Sequence, residues 1–225
     1  MAAKLAIAAT VLALLAWGCG ERENTSALYV LEELEAASAV KDPAAKVDRL
    51  KIFIGNHLDS PYRFIAFGRA FEALSSEMKD EAAAERFLAG ELAKESDPQA
   101  RGEMLLAKFG FLVERSKERS IAFADTLLAT ERSPRLFLYM GYYLMDPKSD
   151  PDLAAKCFLK SAELTVRPFA KSNAIAMAGA VFQQQGKNDE AKRCLSMATG
   201  NPDADGMLAK ILWGEGKREE AIDLY

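Results

Sequence analysis

The chain has 225 residues, of which 50% are apolar and 28% charged, and its formal net charge is −4. The length predicts one or two domains, and the apolar share excludes a chain too polar to bury a core. The net charge argues against a nucleic-acid partner held by bulk positive charge. With a single histidine in the chain, the composition also argues against histidine metal clusters and serine–histidine catalysis.

The first eighteen residues have the pattern of an export signal. Lys4 precedes an apolar run over residues 5–17, in which Thr10 is the only polar residue. This run is shorter than the ~20 residues that span a bilayer and is typical of the apolar region of a secretory signal. We therefore predict that residues 1–18 are a signal peptide.

The residues after this run suggest how the signal is processed. Ala16, Trp17 and Gly18 lead to Cys19, and this box resembles the processing site of bacterial lipoproteins, which are cut before a cysteine that is then acylated. The resemblance implies a lipidated Cys19, a polar stub over residues 19–24, and an anchor in the bacterial envelope, in the outer membrane facing the periplasm. The alternatives are ordinary cleavage after Gly18, which leaves a secreted protein without a lipid, and an uncleaved anchor.

Helix signals run from Thr25 to the end of the chain. Apolar residues recur at spacings of three and four, and no stretch alternates as a half-exposed strand does. Six prolines follow a capping residue, which is a helix start, because the missing N–H of proline costs nothing in the first turn. The capping residues are Asp42, Ser60, Asp97, Ser133, Asp150 and Asn201. Residues 25–225 are therefore predicted to form one all-α domain.

The apolar pattern repeats along the chain. From Leu106, apolar residues or glycine follow at 3, 4, 7, 16 and 23 positions. The first four of these offsets recur from Ile175 and Asp205, and from Phe137 with the alanine two residues late. The alanines at the fourth offset are Ala122, Ala155, Ala191 and Ala221, which are 33, 36 and 30 residues apart. A period of this size predicts a helical repeat array.

These residues resemble the tetratricopeptide repeat, a helix–turn–helix unit of about 34 residues. The resemblance implies a right-handed superhelical solenoid of about six antiparallel helix pairs, the last incomplete at Tyr225. The copy around Gly141, with an insertion over residues 146–150, leans toward the related Sel1-like repeats. Small residues would let neighbouring helices approach closely. They are Gly68, Gly110, Gly141, Gly179 and the four alanines named above.

The sequence contains no phosphate loop, nucleophile elbow, HExxH or CxxC motif. Cys157 and Cys194 are interpreted as buried thiols, with a disulfide as the alternative, and His57 as a solvated or capping side chain. We therefore predict no enzymatic activity, cofactor or metal. The predicted function is a protein–protein interaction scaffold for an envelope protein or peptide, in assembly, pilus or secretion, or envelope maintenance. The alternatives are an accessory or regulatory subunit of an envelope enzyme and self-association through the C-terminal pair.

The repeat register also predicts a partner-binding groove lined by the first helix of each pair. Its predicted residues are Met104, Phe111, Glu114, Leu138, Tyr142, Met145, Gln183 and Trp213. The competing interpretation is that these side chains pack inside the superhelix.

Overall fold

The structure, a computed structural model, describes residues 21–146 and 149–224. The predicted signal peptide and Cys19 lie outside these residues, as do Tyr225 and the centre of the predicted insertion. The described residues contain helices and turns but no strand, so the all-α prediction is confirmed. None of the described helices is both long enough and apolar enough to cross a membrane.

The described residues form twelve α-helices and one π-helical turn. The helices are α1 (Glu21–Ser38), α2 (Pro43–Asn56), α3 (Tyr62–Glu72), α4 (Glu81–Leu92), α5 (Pro98–Arg115), α6 (Lys117–Thr130), α7 (Pro134–Leu144), α8 (Pro151–Leu164), α9 (Pro168–Gln184), α10 (Asn188–Met197), α11 (Pro202–Gly214) and α12 (Arg218–Ile222). The π-helical turn, Ala73–Glu77, follows α3 directly. Because α1 begins at Glu21, part of the predicted polar stub is helical. Its glutamate and arginine residues are good helix formers.

Local chemistry sets most helix boundaries. The side chains of five predicted caps accept a backbone N–H of the first turn, and these are Asp42, Asp97, Ser133, Asp150 and Asn201. Ser60 is the exception. It accepts the N–H of Tyr62 at 3.2 Å, but Pro61 occupies the N-cap position of α3, which has no side-chain cap. Gly186 and Gly216 lie two residues beyond the last residues of α9 and α11, and their φ angles of 73° and 81° favour glycine. Five of the six predicted caps therefore act as predicted.

The chain divides into two compact units, Met1–Lys79 and Asp80–Tyr225, a division that the repeat pattern does not mark. In the first unit, α1, α2 and α3 pack together around buried apolar side chains, which include Leu34, Leu50, Phe53 and Phe67. Two polar side-chain contacts join α1 to its neighbours. The His57 Nε2 lies 3.0 Å from a Glu33 carboxylate oxygen, and an Arg69 guanidinium nitrogen lies 2.9 Å from that of Glu35.

In the second unit, the helices from α7 to α12 pack in consecutive order, each against the next, and α5 packs against both α6 and α7. One continuous core joins them, in which the side chains of Phe109, Phe137 and Phe158 are completely buried. The observed order is that of an all-α solenoid of helix pairs, because each pair buries its apolar face on its neighbours.

Close helix contacts occur at some of the predicted small residues. A Cβ added at Gly141 would lie 2.6 Å from the ring of Phe158, and one at Gly179 would lie 2.8 Å from the side chain of Leu195. Three predicted alanines are buried, namely Ala155, Ala191 and Ala221. Gly68 lies half-buried on α3. At Gly141 and Gly179 the interhelical space has no room for a larger side chain.

The register predicted for α5 and α6 is wrong. Ala122 is exposed, and Ala124 is fully buried instead. Ser116 both ends α5 and caps α6, without the glycine turn of the later pairs. The resulting two-residue shift rotates the packed face by about 200° around the helix axis.

Gly110 also differs from the prediction. A Cβ added there would meet only the Tyr143 hydroxyl, at 3.8 Å, which is ordinary van der Waals contact. The tight contact of α5 is at Gly102, where an added Cβ would lie 2.5 Å from the Cβ of Ser133 and 3.2 Å from that of Leu136. The close approach of α5 to α7 therefore occurs two turns earlier than predicted.

Candidate interaction surface

α5 and α7 lie side by side and run in the same direction. Near their starts, an Arg135 guanidinium nitrogen lies 3.4 Å from a Glu103 carboxylate oxygen. Farther along both helices, the rings of Phe109 and Tyr143 meet edge to face, with centroids 6.0 Å apart. We call the outer side of these two helices the α5–α7 face. Its exposed or half-buried residues are Glu103, Gly110, Phe111, Glu114, Arg115, Arg135, Tyr139, Tyr142 and Tyr143.

The Tyr143 side chain lies over a notch in α5. A Cβ added at Gly110 would meet the Tyr143 hydroxyl at 3.8 Å, and 41% of Tyr143 remains exposed. Burial, and second the negative charge of Glu114, raises the pKa of Tyr143 above its ordinary value. A tyrosine phenol keeps its proton at neutral pH even without this shift, so the Tyr143 hydroxyl is a hydrogen-bond donor on the α5–α7 face.

Other aromatic side chains of this face are held by their neighbours. Tyr142 is 40% exposed, and its ring meets the buried ring of Phe158 edge to face at 5.3 Å. The Arg115 guanidinium lies 4.4 Å from the ring centroid of Phe111, at a distance that permits a cation–π interaction. The face thus combines fixed aromatic rings with arginine donors.

The structure does not place all eight predicted groove residues on a surface. Met104 is completely buried, so its predicted position in an open groove is wrong. It follows Ala100 by one helical turn on the buried side of α5. Leu138 and Met145 are half-buried and pack against the core. Their packing agrees with the competing interpretation.

The remaining predicted residues fall in two places. Phe111 and Glu114 lie at the end of α5, and Tyr142 lies on the adjacent α7. Gln183 and Trp213 lie on α9 and α11, which contact each other. Trp213 is 54% exposed, and the Arg218 guanidinium lies 5.4 Å from its ring centroid. The structure therefore brings together the residues of α5 and α7 as one surface.

Two residues of the α5–α7 contact, Tyr143 and Gly102, were not identified from the sequence. Tyr143 directly follows Tyr142, and both lie between the buried Gly141 and Leu144, so spacing alone does not identify the one that faces α5. Gly102 lies one turn before the repeat pattern starts at Leu106. A glycine inside an otherwise good helix was the available signal for a close backbone contact.

The described residues carry little that resembles a catalytic centre. Both Cys157 and Cys194 are free and buried, which confirms the thiol interpretation over the disulfide. Burial raises the pKa of Cys157 to about 12 and also raises that of Cys194, so neither is a ready thiolate at neutral pH. Within residues 21–146 and 149–224, no three side chains of His, Cys, Asp or Glu are grouped to hold a metal ion.

Comparison with known protein families found no family that matches the chain, and no curated protein matches it.

Proposed function

We propose that the protein is a non-enzymatic interaction scaffold of the bacterial cell envelope, anchored by a lipid on Cys19, and that the α5–α7 face binds another envelope protein or peptide. One observation carries the binding proposal. Tyr142 and Tyr143 are 40% and 41% exposed on a helix whose inner side, at Phe137 and Met140, is completely buried.

Exposed tyrosines on a rigid helix are well suited to recognition. A tyrosine supplies a large contact area and a hydroxyl while losing little conformational entropy, because it has only two side-chain torsions. Here both rings are already fixed, Tyr142 by Phe158 and Tyr143 by Phe109. This fixed arrangement lowers the entropy that a partner must offset on binding. Tyrosine and arginine are also the residues that most often dominate binding energy.

The location in the envelope is supported by the sequence of residues 1–19 and by its resemblance to lipoprotein signals. The tetratricopeptide resemblance supports a role in recognition by shape and apolar contact. Assembly, pilus or secretion, and envelope maintenance are the processes in which such a scaffold would act.

The binding proposal can be tested by crosslinked pull-down from native envelopes. Replacing both tyrosines, Tyr142→Ser with Tyr143→Ser, should lower recovery of the crosslinked partner by about tenfold or more, as expected for interface residues that dominate binding. Tyr29→Ser is the matched control, because Tyr29 is an exposed tyrosine of the first unit.

A second variant tests the charge of the face. Glu114 is exposed, and Glu114→Lys should lower recovery of the partner, with the melting temperature measured alongside so that a loss of stability is recognised. If both variants recover as much partner as the unaltered protein, binding occurs on another face and the proposal is wrong.

A further inference from the structure

The junction between α8 and α9 carries the two most exposed large apolar side chains of the described residues. Val166 is 93% exposed and Phe169 is 74% exposed. Two exposed cations, Arg167 and Lys171, lie within the same six residues. We call Val166, Arg167, Phe169 and Lys171 the α8–α9 tip. It shares no residue with the α5–α7 face.

Hydrogen bonds between helices locate this tip. The Ser161 hydroxyl donates to the carbonyl of Pro134 at 2.8 Å, which places the end of α8 beside the start of α7. The Ser172 hydroxyl donates to the carbonyl of Thr199 at 3.0 Å, which places the start of α9 beside the end of α10. The tip therefore projects from one end of the second unit, among the ends of four helices.

The tip lies in a long stretch of chain that has no acidic residue. Residues 164–188 contain no aspartate or glutamate. Neither Arg167 nor Lys171 takes part in an ion pair among the described residues. Their charges therefore face solvent beside two apolar side chains.

Neighbouring carboxylates do little to neutralise this charge. Glu131 lies within 3.2 Å of Arg101, and Glu163 within 3.0 Å of Lys160, so both are paired. Asp203, in the first turn of α11, and Arg132, in the loop before α7, are further exposed charges at these helix ends. They offset one another, and the tip keeps its positive charge.

From this combination we propose that the α8–α9 tip docks on the surface of an anionic phospholipid membrane. Val166 and Phe169 enter the boundary between headgroups and acyl chains, while Arg167 and Lys171 contact the lipid phosphates. The proposal rests on the proposed function only for the presence of a membrane near the protein.

The size of the tip favours a membrane over a protein partner. A stable protein interface buries about 800 Å² on each side, whereas the tip offers two apolar side chains on a projecting end. A bilayer boundary accepts single apolar side chains, and its anionic headgroups attract nearby cations at ~1 kcal/mol each. Such contacts are weak alone and act as a second signal beside a lipid anchor, so that they orient the second unit on the membrane.

The test uses tryptophan quenching by vesicles of phosphatidylcholine and phosphatidylglycerol with brominated acyl chains. Residues 19–225, the predicted mature chain, are used with Cys19→Ser, so that neither an acyl chain nor the apolar run over residues 5–17 contributes and Trp213 is the remaining tryptophan. One protein adds Phe169→Trp and Trp213→Phe, and reports on the tip. The control protein keeps Trp213, which is exposed at the opposite end of α11. Emission of the tip reporter should be quenched, whereas that of the control should not.

The contribution of the two cations is tested in the tip reporter. Arg167→Gln with Lys171→Gln should weaken vesicle binding of the tip reporter by about 30-fold, which corresponds to ~1 kcal/mol for each cation. Vesicles of phosphatidylcholine alone should give a similar loss.

Three results would each overturn the proposal. The tip reporter is not quenched, the two reporters are quenched equally, or quenching of the tip reporter is unchanged when Arg167 and Lys171 are replaced. If lipid quenching is absent and Phe169→Ser instead removes a crosslinked protein, the tip is a protein interface. The experiment does not depend on lipidation. A failed anchor prediction therefore leaves its result intact.

Discussion

Gly141 on α7 lies directly against the ring of Phe158 on α8. An added Cβ at Gly141 would be 2.6 Å from that ring, which is completely buried and also meets Tyr142 edge to face. The missing side chain therefore sets how closely α7 and α8 approach, and the same ring supports one of the exposed tyrosines of the α5–α7 face. Packing at the core and the form of the proposed binding surface are thus coupled through Phe158.

Replacing this glycine should reduce stability. Gly141→Ala forces the α7–α8 contact apart and should lower the free energy of unfolding by about 1–3 kcal/mol. Gly110→Ala is the matched control, because its Cβ would meet only the Tyr143 hydroxyl at 3.8 Å. There the better helix propensity of alanine should raise stability by up to about 1 kcal/mol. Urea unfolding followed by circular dichroism measures both, and equal effects of the two substitutions would contradict the observed packing.

The electrostatic contact between Tyr143 and Glu114 can be measured by titration. Burial is the larger cause of the raised pKa of Tyr143 and Glu114 the smaller, so Glu114→Gln should lower this pKa only part of the way to its ordinary value. NMR titration of the Tyr143 ring measures the change. Glu118→Gln, a carboxylate that does not act on Tyr143, should leave the pKa as it is.

The raised pKa also has a consequence for stability. Above the ordinary tyrosine pKa, the unfolded chain loses the phenol proton while the folded chain retains it. The free energy of unfolding should therefore fall as the pH rises through this interval. Glu114→Gln lowers the pKa of Tyr143 in the folded chain and should therefore narrow the pH range over which this loss occurs. If the free energy of unfolding depends on alkaline pH as in the unaltered protein, Glu114 does not act on Tyr143.

Lys79 adopts a backbone conformation that costs free energy. Its φ of 57° is in the left-handed region, which a side chain disfavours by about 1–2 kcal/mol. Lys79→Gly should relieve this cost and raise the free energy of unfolding by about 0.5–1 kcal/mol after the greater chain entropy of glycine is counted. Lys79→Ala keeps a Cβ and should change stability little. Thermal unfolding of the two variants distinguishes them, and a greater gain from alanine would contradict the strain.

The proposed anchor is tested in cells. Cys19→Ser removes the only acceptor for the lipid in the predicted processing box and should move the protein from the membrane fraction to the soluble periplasmic fraction. Cys194→Ser is a suitable control, because that thiol is buried within the second unit. Immunoblots of the separated fractions give the answer. A Cys19→Ser protein that remains in the membrane fraction would show that another feature holds it there.

Helix boundaries were predictable because the chemistry that sets them is local. Asp97 caps α5 and Asn201 caps α11 through hydrogen bonds to residues two or three positions away. Gly186 closes α9 through its own backbone angle. Neither kind of signal depends on what the helix later packs against.

The candidate site was predicted less well. Of the residues that spacing predicted for the groove, Phe111, Glu114 and Tyr142 lie on the surface of α5 and α7, whereas Met104 is buried. Spacing did not identify Tyr143. The repeat pattern applied the same register to α5 and α6 as to the later pairs α9–α10 and α11–α12. It did not detect that α5 and α6 are joined at Ser116 without a glycine turn.

By itself, the sequence determined the all-α class, the helix starts and turns, and the recurrence of helix pairs. The tertiary structure alone decided which side of each helix is buried, as at Ala124 in place of Ala122, and where α5 meets α7, at Gly102 in place of Gly110. The physical reason is rotation. One residue turns a helix by about 100°. A connection that is longer or shorter by one or two residues therefore moves a side chain from the surface into the core. Only the packing of neighbouring helices decides which of the two positions it takes.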